Sequence, residues 1–420
     1  MLLLLAVAAH ANAGGAVLTW PVSPGCQGTL QACIDAADAG DIVEIATNDP
    51  IGDIIQVFGK TLMLRPAAGF EPVFEPTQFT NAINLFGADT PASITVEGMT
   101  VRGATIDAYQ AGSAAFHVTI RGNRIEAQDL DASRTAIGLR PFGASPTGPV
   151  RFEFTGNDIA LGFLSGDDIS AIGIADLAGA TTGTIAGNTV RIGGTMSTYA
   201  AISIRNGAGT LDLDVLANRI DAAGYNGGIA ITQEDAAGAM AGRVINNLVV
   251  GTDYVMGMQP GAISVWVTAG SGEFLVANNT LVGNDTGFFA DAAPGGILEG
   301  VLANNIVAGS TNRGIVIDAL VEPAFGNDHN LVFGNLDDEF TPGPGTLFVD
   351  PQFIGAGDYH LQRTTPARDA GNNQHVPPDI TGDLDGMPRV MGGTVDIGAY
   401  ERADSIFTDG FDAAPLDSPP

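Results

Sequence analysis

The sequence predicts an all-β fold: a right-handed parallel β-helix, in which coils of about three strands stack along one axis. Apolar and polar residues alternate over short runs, and the repeated region lacks the i, i+3, i+4 pattern of a helix. An asparagine also recurs throughout, with an apolar residue three positions before it and another two after it. By subtraction, the intervals are 26 to 34 residues along the series Asn123, Asn157, Asn188, Asn218, Asn247, Asn279 and Asn305.

The length of the repeat decides between the stacked architectures. A second strand recurs in each unit, as in Ile172-Gly-Ile174 and Ile202-Ser-Ile204. A propeller blade would need roughly 40–50 residues for four strands, and leucine-rich repeats would need more leucines. Shorter units instead form coils that bury their apolar residues and hydrogen-bond to the next coil about 4.8 Å away. We therefore interpret residues 42–340 as the β-helix.

The recurring asparagines are interpreted as structural. Asparagine tolerates the left-handed backbone conformation of a tight turn and can bond the local backbone. In successive coils, the side-chain amides can also bond one another along the axis. Catalysis needs one or two residues at one place, whereas this residue returns in every coil. The sequence therefore predicts an asparagine ladder.

The start of the chain has the features of an export signal. Residues 1–13 form a short apolar run that ends in Ala11-Asn12-Ala13, a small-residue cleavage pattern. No later run approaches the ~20 apolar residues of a membrane-spanning helix. We therefore expect a secreted or surface-located protein without a transmembrane segment.

Residues 14–41 are predicted to form an N-terminal cap, because a solenoid otherwise exposes its core at each end. Leu30, Ile34 and Ala37 have helical spacing within this segment. Cys26 and Cys33 could form a disulfide in an exported protein. The alternative is two free buried thiols, since a separation of seven residues does not guarantee the geometry of a bridge.

The end of the chain departs from the repeat. Asn327 takes the apolar position three residues before Asn330, so we expect the repeat to decay after Asn330. Residues 341–402 are predicted to be a closing segment, and they contain Gly357-Asp-Tyr-His-Leu361, Pro366-Ala-Arg-Asp-Ala-Gly371, Asp385-Gly-Met-Pro-Arg389 and Val395-Asp-Ile-Gly-Ala-Tyr-Glu401.

These motifs resemble the closing segment of secreted bacterial choice-of-anchor Q domain proteins, which belong to the pectate-lyase-like superfamily. With the repeats, the resemblance covers roughly residues 26–402. It implies an exported or surface-located β-helix, and it does not imply one reaction. Residues 403–420 resemble short terminal tails of exported proteins, so a sorting signal and a disordered tail are both open interpretations.

The composition limits the partners of this protein. The net charge is −30 with 17 basic residues, which excludes nucleic acid and opposes free polyanions unless Ca²⁺ bridges the two. A hydrophobic content of 45% is sufficient for a long core. Because the ends of a solenoid are usually capped against stacking, we expect a monomer.

Recognisable cofactor and metal motifs are missing from the sequence. There is no Gly-x-Ser-x-Gly, His-Glu-x-x-His, P-loop or Cys-x-x-Cys motif. Asp383-Leu-Asp385-Gly386 resembles a Ca²⁺ loop, but the flanking ligand positions are Thr381 and Gly392, so we interpret it as a turn, with Ca²⁺ binding as the alternative. We predict no cofactor and no metal site. Scattered surface or turn positions are predicted for His117, His329, His360 and His375.

A row of polar residues just after the second strand of each coil is the candidate site. Counted from the asparagines, Arg140, Arg205 and Asp235 fall at +17, and Asp176 and Trp266 fall at +19. Offsets of the same parity would place these residues on one face, with acids beside arginines about 5 Å away, if the strand is unbroken. Carboxylates can cleave a glycosidic bond, arginine can orient a uronate, and tryptophan can stack on a sugar. The candidate catalytic residues are Arg140, Asp176, Arg205 and Asp235, and the candidate substrate-binding residues are Glu234, Trp266 and Asp291, with Asp318 after them.

A solvated charged face explains the same row, because exposed Arg–Asp pairs contribute little. Ile174 also interrupts the row in the coil of Asp176. The favoured hypothesis is therefore an exported, surface-associated β-helix that binds glycans or envelope components without turnover. The alternative is a polysaccharide lyase or glycoside hydrolase of the pectate-lyase-like superfamily, so enzymatic activity stays open.

Overall fold

The computed structural model describes residues 15–77, 81–127, 135–143, 146–162, 170–193, 200–224, 227–253 and 261–402. The predicted signal peptide, residues 1–13, and the predicted tail, residues 403–420, lie outside the described residues. No helix in the described ranges is long and apolar enough to cross a membrane.

Three long parallel sheets form the body of the protein, and each coil contributes one strand to each sheet. Sheet A contains Val17–Trp20, Ile42–Ile45, Leu62–Pro66, Ala92–Glu97, Phe116–Arg121, Val150–Thr155, Ala180–Ala186, Thr210–Leu216, Ala239–Ile245, Gly270–Ala277, Gly296–Ala303 and Phe325–Asp328. Sheet B contains Val73–Phe74, Thr100–Arg102, Arg124–Ala127, Asp158–Leu161, Thr189–Ile192, Arg219–Gly224, Leu248–Thr252, Thr280–Val282, Ile306–Ala308 and Leu331–Phe333. Sheet C contains Ile55–Phe58, Asn81–Gly87, Thr105–Gln110, Thr135–Pro141, Ser170–Ala175, Ile202–Asn206, Ile229–Gln233, Ile263–Val267, Thr286–Ala292, Arg313–Ile317 and Asp337–Glu339.

The chain is thus an all-β, right-handed parallel β-helix, and the predicted fold class is confirmed. Every pair of neighbouring strands in sheets A, B and C is parallel, as in Phe116↔Val150 and Ile172↔Ile202. The apolar columns predicted on either side of the asparagines are buried, with exposures of 0–2%. One continuous core therefore runs from Cys26 to Val332 through the centre of the coils.

The predicted asparagine ladder is confirmed, and it accounts for the sharp turn between sheets A and B. At each step, Oδ1 of one asparagine accepts from the backbone N–H and from Nδ2 of the asparagine in the preceding coil, as between Asn157 and Asn188 at 2.9 and 3.0 Å. The ladder begins where Met99 N–H donates to Asn123. It continues to Asn330, whose Oδ1 accepts from the backbone N–H and Nδ2 of Asn305.

The left-handed conformation was predicted for the wrong residue. The positive φ angles lie one position before the ladder asparagines, as at Gly187, with a φ of 64°, and Asn246, with a φ of 59°. The ladder asparagines turn their side chains into the coil, where they bond backbone carbonyls. The preceding residue makes the turn and therefore needs glycine or another residue that tolerates this conformation.

Residues near the N-terminus combine a helix with an additional strand. The helix Leu30–Ala36 begins at Thr29, whose side chain accepts from Ala32 N–H, and packs its apolar face on the first coil. A disulfide joins Cys26 and Cys33, and both side chains are buried. The strand Val17–Trp20 extends sheet A. This strand was not predicted, since only a helix was expected in the cap.

The closing segment runs back along the outside of the β-helix after the last coil. It contains the antiparallel pair Phe353–Gly355 and Asp358–Leu361 and the 3₁₀ helix Asn373–His375. Its apolar residues, among them Leu361 and Ile397, pack on Ile306 and Leu331 at the outer face of sheet B. The closing segment therefore covers, from the outside, the coils whose sheet B strands run from Arg219–Gly224 to Leu331–Phe333. We call these the rear coils, and those before them the front coils.

Candidate functional site

The candidate site lies on the outer face of sheet C, where one outward-facing position recurs from coil to coil. The strand register brings Arg140, Arg205, Trp266 and Asp291 to this position. We call the aligned set the outer row. Its members, in axial order, are Phe58, Phe86, Tyr109, Arg140, Ala175, Arg205, Thr232, Trp266 and Asp291.

An aromatic cluster forms the first part of the outer row. The rings of Phe58 and Phe86 stack at 4.3 Å between centroids, and those of Phe86 and Tyr109 stack at 4.9 Å. Phe142 packs edge-on against Phe86 and Tyr109. Phe58 and Phe142 are 56% and 54% exposed, so the cluster presents an apolar surface to solvent. Equal strand positions in adjacent coils explain the stacking, because neighbouring strands are about 4.8 Å apart.

A network of polar side chains lies directly beside these rings. Nη2 of Arg140 donates to Asp107 Oδ1 at 2.9 Å and to the Tyr109 hydroxyl at 3.0 Å. The guanidinium also lies 5.1 Å from the centre of the Tyr109 ring, a cation–π arrangement. The second oxygen of Asp107 accepts from Thr105 at 2.5 Å, and Asn81 Nδ2 donates to the Tyr109 hydroxyl at 2.8 Å.

The electrostatics of this network favour a fixed positive charge at Arg140. Asp107 is only 2% exposed, whereas the side chain of Arg140 is 41% exposed. Burial alone lowers the pKa of Arg140, but the Asp107 carboxylate and the Tyr109 hydroxyl outweigh burial, so the pKa is raised. Gly138 makes room for the ion pair, since a Cβ there would lie 2.7 Å from Asp107 Oδ1.

The predicted pairing of acids and arginines occurs in part. Arg140 pairs with Asp107 of the preceding coil, which the sequence analysis did not select. Asp176 comes directly after its strand, has a φ of 53°, and lies 3.5 Å from Nη2 of Arg205. Ala175 holds the outer-row position in that coil, so Asp176 lies one residue beyond it.

Glu234 and Asp235 lie outside the outer row. Thr232 takes the position between Arg205 and Trp266, and the strand ends at Gln233. Asp235 Oδ1 accepts from Ala237 N–H at 2.8 Å within the following turn. Assigning Asp235 by its offset from the asparagine was therefore wrong, because the strand ends before its side chain can return to the outer face.

The last part of the outer row combines a tryptophan with two carboxylates. Trp266 is 42% exposed and pairs in register with Asp291. Asp318 follows the next strand, where Ala290 pairs with Ile317. Burial raises the pKa of Asp291, and the nearby carboxylate of Asp318 raises it further. A carboxyl group with a raised pKa beside an aromatic ring is a candidate acid for a glycosidic oxygen.

No group of three His, Cys, Asp or Glu side chains in the described ranges has the geometry of a metal site. The segment that resembles a Ca²⁺ loop uses its oxygens within the protein. Asp383 accepts from the backbone N–H groups of Asp385, Met387 and Glu401 at 2.7–2.9 Å. Asp385 contacts Arg219 and His360. Its carboxylates therefore already have protein donors, as expected for a turn.

The aromatic cluster and Asp107 were not among the residues predicted from the sequence. Phe58, Phe86 and Tyr109 belong to coils that precede the first ladder asparagine, Asn123, so counting from the asparagines did not reach them. A signal was present nonetheless. Phe58, Phe86 and Tyr109 each follow an alternating apolar pair, Ile55/Val57, Ile83/Leu85 and Ile106/Ala108.

The sheet topology defines the class of this protein: a right-handed parallel β-helix with its candidate site on the outer face of one sheet. No protein-family model matches the chain, and no curated protein matches it. The solved structure of pectate lyase Pel9A aligns with a TM-score of 0.45 and 11% identity over 92% of this chain and 96% of that chain. XylC in complex with xylose aligns with a TM-score of 0.43 and 11% identity over 89% and 95%. At 11% identity these similarities concern the fold only.

Proposed function

We propose that this protein is an exported, surface-associated β-helix that binds a glycan along the outer row of sheet C without cleaving it. The observation that carries the proposal is the exposed aromatic cluster beside the fixed guanidinium of Arg140. Apolar ring faces with a few positioned polar groups are typical of ligand sites. The C–H faces of sugar rings can pack on Phe58 and Phe142, and their hydroxyl groups can accept from Arg140.

The outer row suits a linear polymer. From Tyr109 to Trp266 it crosses five coil-to-coil steps, which is about 24 Å at the strand spacing. A ligand that contacts both aromatic groups must therefore be several sugars long. Because the chain has a net charge of −30, we favour a neutral, hydroxyl-rich glycan over a polyanion.

Two observations support binding without turnover. Asp107, the buried carboxylate beside the aromatic cluster, is held by Arg140 and Thr105. Asp176 is exposed and faces Arg205. A general acid or base must reach the reacting bond in the required protonation state, and an ion-paired carboxylate is poorly suited to donate a proton.

The proposal is tested by the binding of a polysaccharide panel to the wild type, Phe58→Ala and Phe142→Ala. Both rings are more than half exposed, so their removal leaves the core intact. Phe348→Ala is the matched control, since Phe348 is 58% exposed and lies in the closing segment. We expect each outer-row variant to bind at least ~10-fold more weakly, which corresponds to an aromatic contact worth about 1.4 kcal/mol or more. Equal weakening by the control would contradict the assignment of the site.

A polysaccharide lyase or glycoside hydrolase is the second candidate, and the Asp291–Asp318 pair beside Trp266 favours it. The same panel is assayed for unsaturated ends, which a lyase produces, and for reducing ends alone, which a hydrolase produces. Asp291→Asn should abolish either activity while keeping the melting temperature, and Asp176→Ala tests the other carboxylate near the outer row. Binding without new ends across the panel would exclude turnover.

Export and family membership form part of the proposal. The apolar segment at residues 1–13 and the Cys26–Cys33 disulfide fit an oxidising compartment. The closing motifs support membership of the choice-of-anchor Q proteins. Cell fractionation with N-terminal sequencing of the mature chain tests both export and cleavage after Ala13. Retention in the cytoplasm with an intact N-terminus would contradict export.

A monomer is proposed because the last strand of sheet C protects its edge with charge. Asp337, Asp338 and Glu339 are all exposed at this edge. Acidic residues on an edge strand oppose pairing with a second sheet, most strongly with one of an equally acidic copy. Light scattering at several concentrations should give the mass of one chain.

A further inference from the structure

The closing segment crosses the rear coils at the turn between sheets A and B, and polar contacts hold it there. Asn372 exchanges two hydrogen bonds with Asn304, from its N–H to Oδ1 at 2.7 Å and from Asn304 Nδ2 to its carbonyl at 3.0 Å. Further along, Asn246 Nδ2 donates to the Gly382 carbonyl at 2.8 Å. Arg219 binds Asp385 at 2.6 Å. The docked position thus depends on charged and polar groups as well as on apolar burial.

Three histidines lie at this interface in two separate places, where scattered surface or turn positions were expected: His329 and His375 share Asp328, and His360 lies beside Asp385. His375 Nε2 lies 2.7 Å from Asp328 Oδ2, which joins the closing segment to the last strand of sheet A. His329 Nδ1 contacts the other oxygen of the same carboxylate. Asn372 Nδ2 also donates to Asp328, at 2.7 Å. One carboxylate of the β-helix therefore contacts two imidazole rings.

His360 has a carboxylate at each of its ring nitrogens. Nδ1 lies 2.5 Å from Asp358 Oδ1, and Nε2 lies 2.6 Å from Asp385 Oδ2. A neutral imidazole carries only one N–H and cannot donate to both carboxylates, whereas the imidazolium donates to both. The geometry therefore favours the protonated form of His360.

The remaining groups around His360 connect it to the β-helix. Asp385 binds Arg219 of sheet B through its other oxygen, and the His360 ring packs on Tyr400 at 4.2 Å between centroids. Tyr359 and Leu248 both pack against the cluster of Leu384, Ala399 and Tyr400, and the Asp221 carboxylate lies near Tyr359. Loss of the His360 proton would leave Asp358 and Asp385 facing an uncharged ring and weaken the contact that holds Asp385 against Arg219.

We propose that the closing segment is a proton-dependent clasp, which docks on the rear coils when His360 is protonated and loosens when His360 loses its proton. Two histidine contacts hold the closing segment in its docked position. His360 joins the Asp358 hairpin to the Asp385 turn, and His375 joins the 3₁₀ helix to Asp328. The contact of His375 holds the same segment at a second place on the β-helix.

His360 determines the upper limit of the pH range in which the closing segment stays docked. Burial lowers the pKa of His360, but the hydrogen bonds with Asp385 and Asp358 outweigh burial, so the pKa is raised above its ordinary value of 6.5. For a raised histidine pKa, the stabilisation is fully present below the unfolded value. It is lost as the pH rises through the folded value.

Asp328 and Asp379 determine the lower limit of the pH range in which the closing segment stays docked. Burial tends to raise the pKa of Asp328, but its contacts with His329, Asn372 and His375 outweigh burial and lower it. The hydrogen bond from Arg243 lowers the pKa of Asp379. Their stabilisation is present above the ordinary value of 3.8 and is lost as the pH falls through the lowered values. Docking should therefore be strongest in mildly acidic solution.

Hydrogen exchange followed by mass spectrometry tests the clasp in the full-length protein. Peptides from residues 357–401 are compared with front-coil peptides from residues 150–161 at about pH 5.5 and about pH 8.5, with labelling times corrected for intrinsic exchange. We expect the closing segment alone to lose protection, by roughly tenfold for each unit of pKa difference. Equal protection at both pH values, or a parallel loss in the front coils, would overturn the proposal.

Substitution then identifies the residue responsible. His360→Gln should show the weaker protection already at about pH 5.5 and little further change at about pH 8.5. His117→Gln is the matched control, because His117 lies on sheet A near Glu153 and away from the closing segment. It should keep the wild-type profile. If His360→Gln keeps the full pH dependence, the clasp assignment fails, and the wild-type comparison remains decisive if that variant does not fold.

Discussion

Asn188→Ala is the sharpest test of the asparagine ladder, because this side chain is fully buried and makes four hydrogen bonds. Its Nδ2 donates to the Phe154 carbonyl at 2.8 Å and to Asn218 Oδ1 at 3.0 Å. Its Oδ1 accepts from Asn157 N–H at 2.9 Å and from Asn157 Nδ2 at 3.0 Å. Alanine removes all four bonds and leaves the Asn157 N–H without this acceptor.

The expected loss follows from these bonds. At about 1 kcal/mol net for each hydrogen bond, Asn188→Ala should lower the free energy of unfolding by about 4 kcal/mol. Asn123 makes only three such bonds, with Met99 N–H, the Val96 carbonyl and Asn157, because the ladder begins there. Asn123→Ala should therefore cost about 1 kcal/mol less. Urea unfolding, with the midpoint and slope measured together, gives both values.

An exposed asparagine provides the control. Asn312 is exposed, and its Nδ2 makes one 3.4 Å contact with Asp285. Asn312→Ala should change the free energy of unfolding by no more than about 0.5 kcal/mol. If Asn188→Ala lies within about 1 kcal/mol of this control, the ladder does not stabilise the coils, and the argument from buried hydrogen bonds is wrong.

Four further variants test other parts of the structure by the same unfolding assay. Arg389→Ala should cost about 3–5 kcal/mol, because it leaves a buried carboxylate without its ion pair. Gly138→Ala should cost about 1–3 kcal/mol by crowding Asp107, and it should also weaken glycan binding. Asn304→Gly keeps the left-handed turn and removes two contacts of the closing segment, so we expect a loss of about 1–2 kcal/mol. At Gly187 an added Cβ would make only an ordinary contact with Gly156 N, at 3.9 Å, and asparagine tolerates the left-handed φ, so Gly187→Asn should cost no more than about 1 kcal/mol.

The architecture was predictable because both the spacing and the type of the residues repeat. Each coil buries one apolar residue on either side of its ladder asparagine, as Ile185 and Val190 do around Asn188. Seven repetitions of this local rule determine the direction of stacking and the three sheets. The left-handed position was misassigned because glycine and asparagine both tolerate that conformation, and adjacent residues in the turn carry both.

The candidate site was less predictable because outward residues are not constrained by the core. Offsets from the asparagines placed Arg140, Arg205 and Trp266 correctly, since their strands continue that far. The same count failed at Asp235, where the strand ends two residues earlier at Gln233. Asp107 was missed because its partner lies in the next coil, and pairing across coils depends on loop lengths as well as on the repeat.

The docking of the closing segment left a signature that the sequence analysis did not use. At the left-handed turn position, the front coils have residues with little or no side chain, and the covered coils have residues that bond the closing segment or lie beside it. Glycine is the least restricted choice where nothing lies outside the turn, whereas asparagine tolerates the conformation and adds two hydrogen-bonding groups. In order, the residues are Gly98, Gly122, Gly156, Gly187, Ala217, Asn246, Asn278, Asn304 and His329.

The outward residues next to this turn change at the same place. Arg124 and Asp158 begin sheet B strands of the front coils, whereas Leu248, Ile306 and Leu331 begin those of three covered coils. In the covered coil between Leu248 and Ile306, Thr280 takes this position and accepts from Ala399 N–H. An apolar residue on the outside of a solenoid gains stability only if something covers it. The shift from glycine to asparagine and the shift from charged to apolar residues therefore have one cause, the closing segment. Together they mark, in the sequence, how far back it reaches.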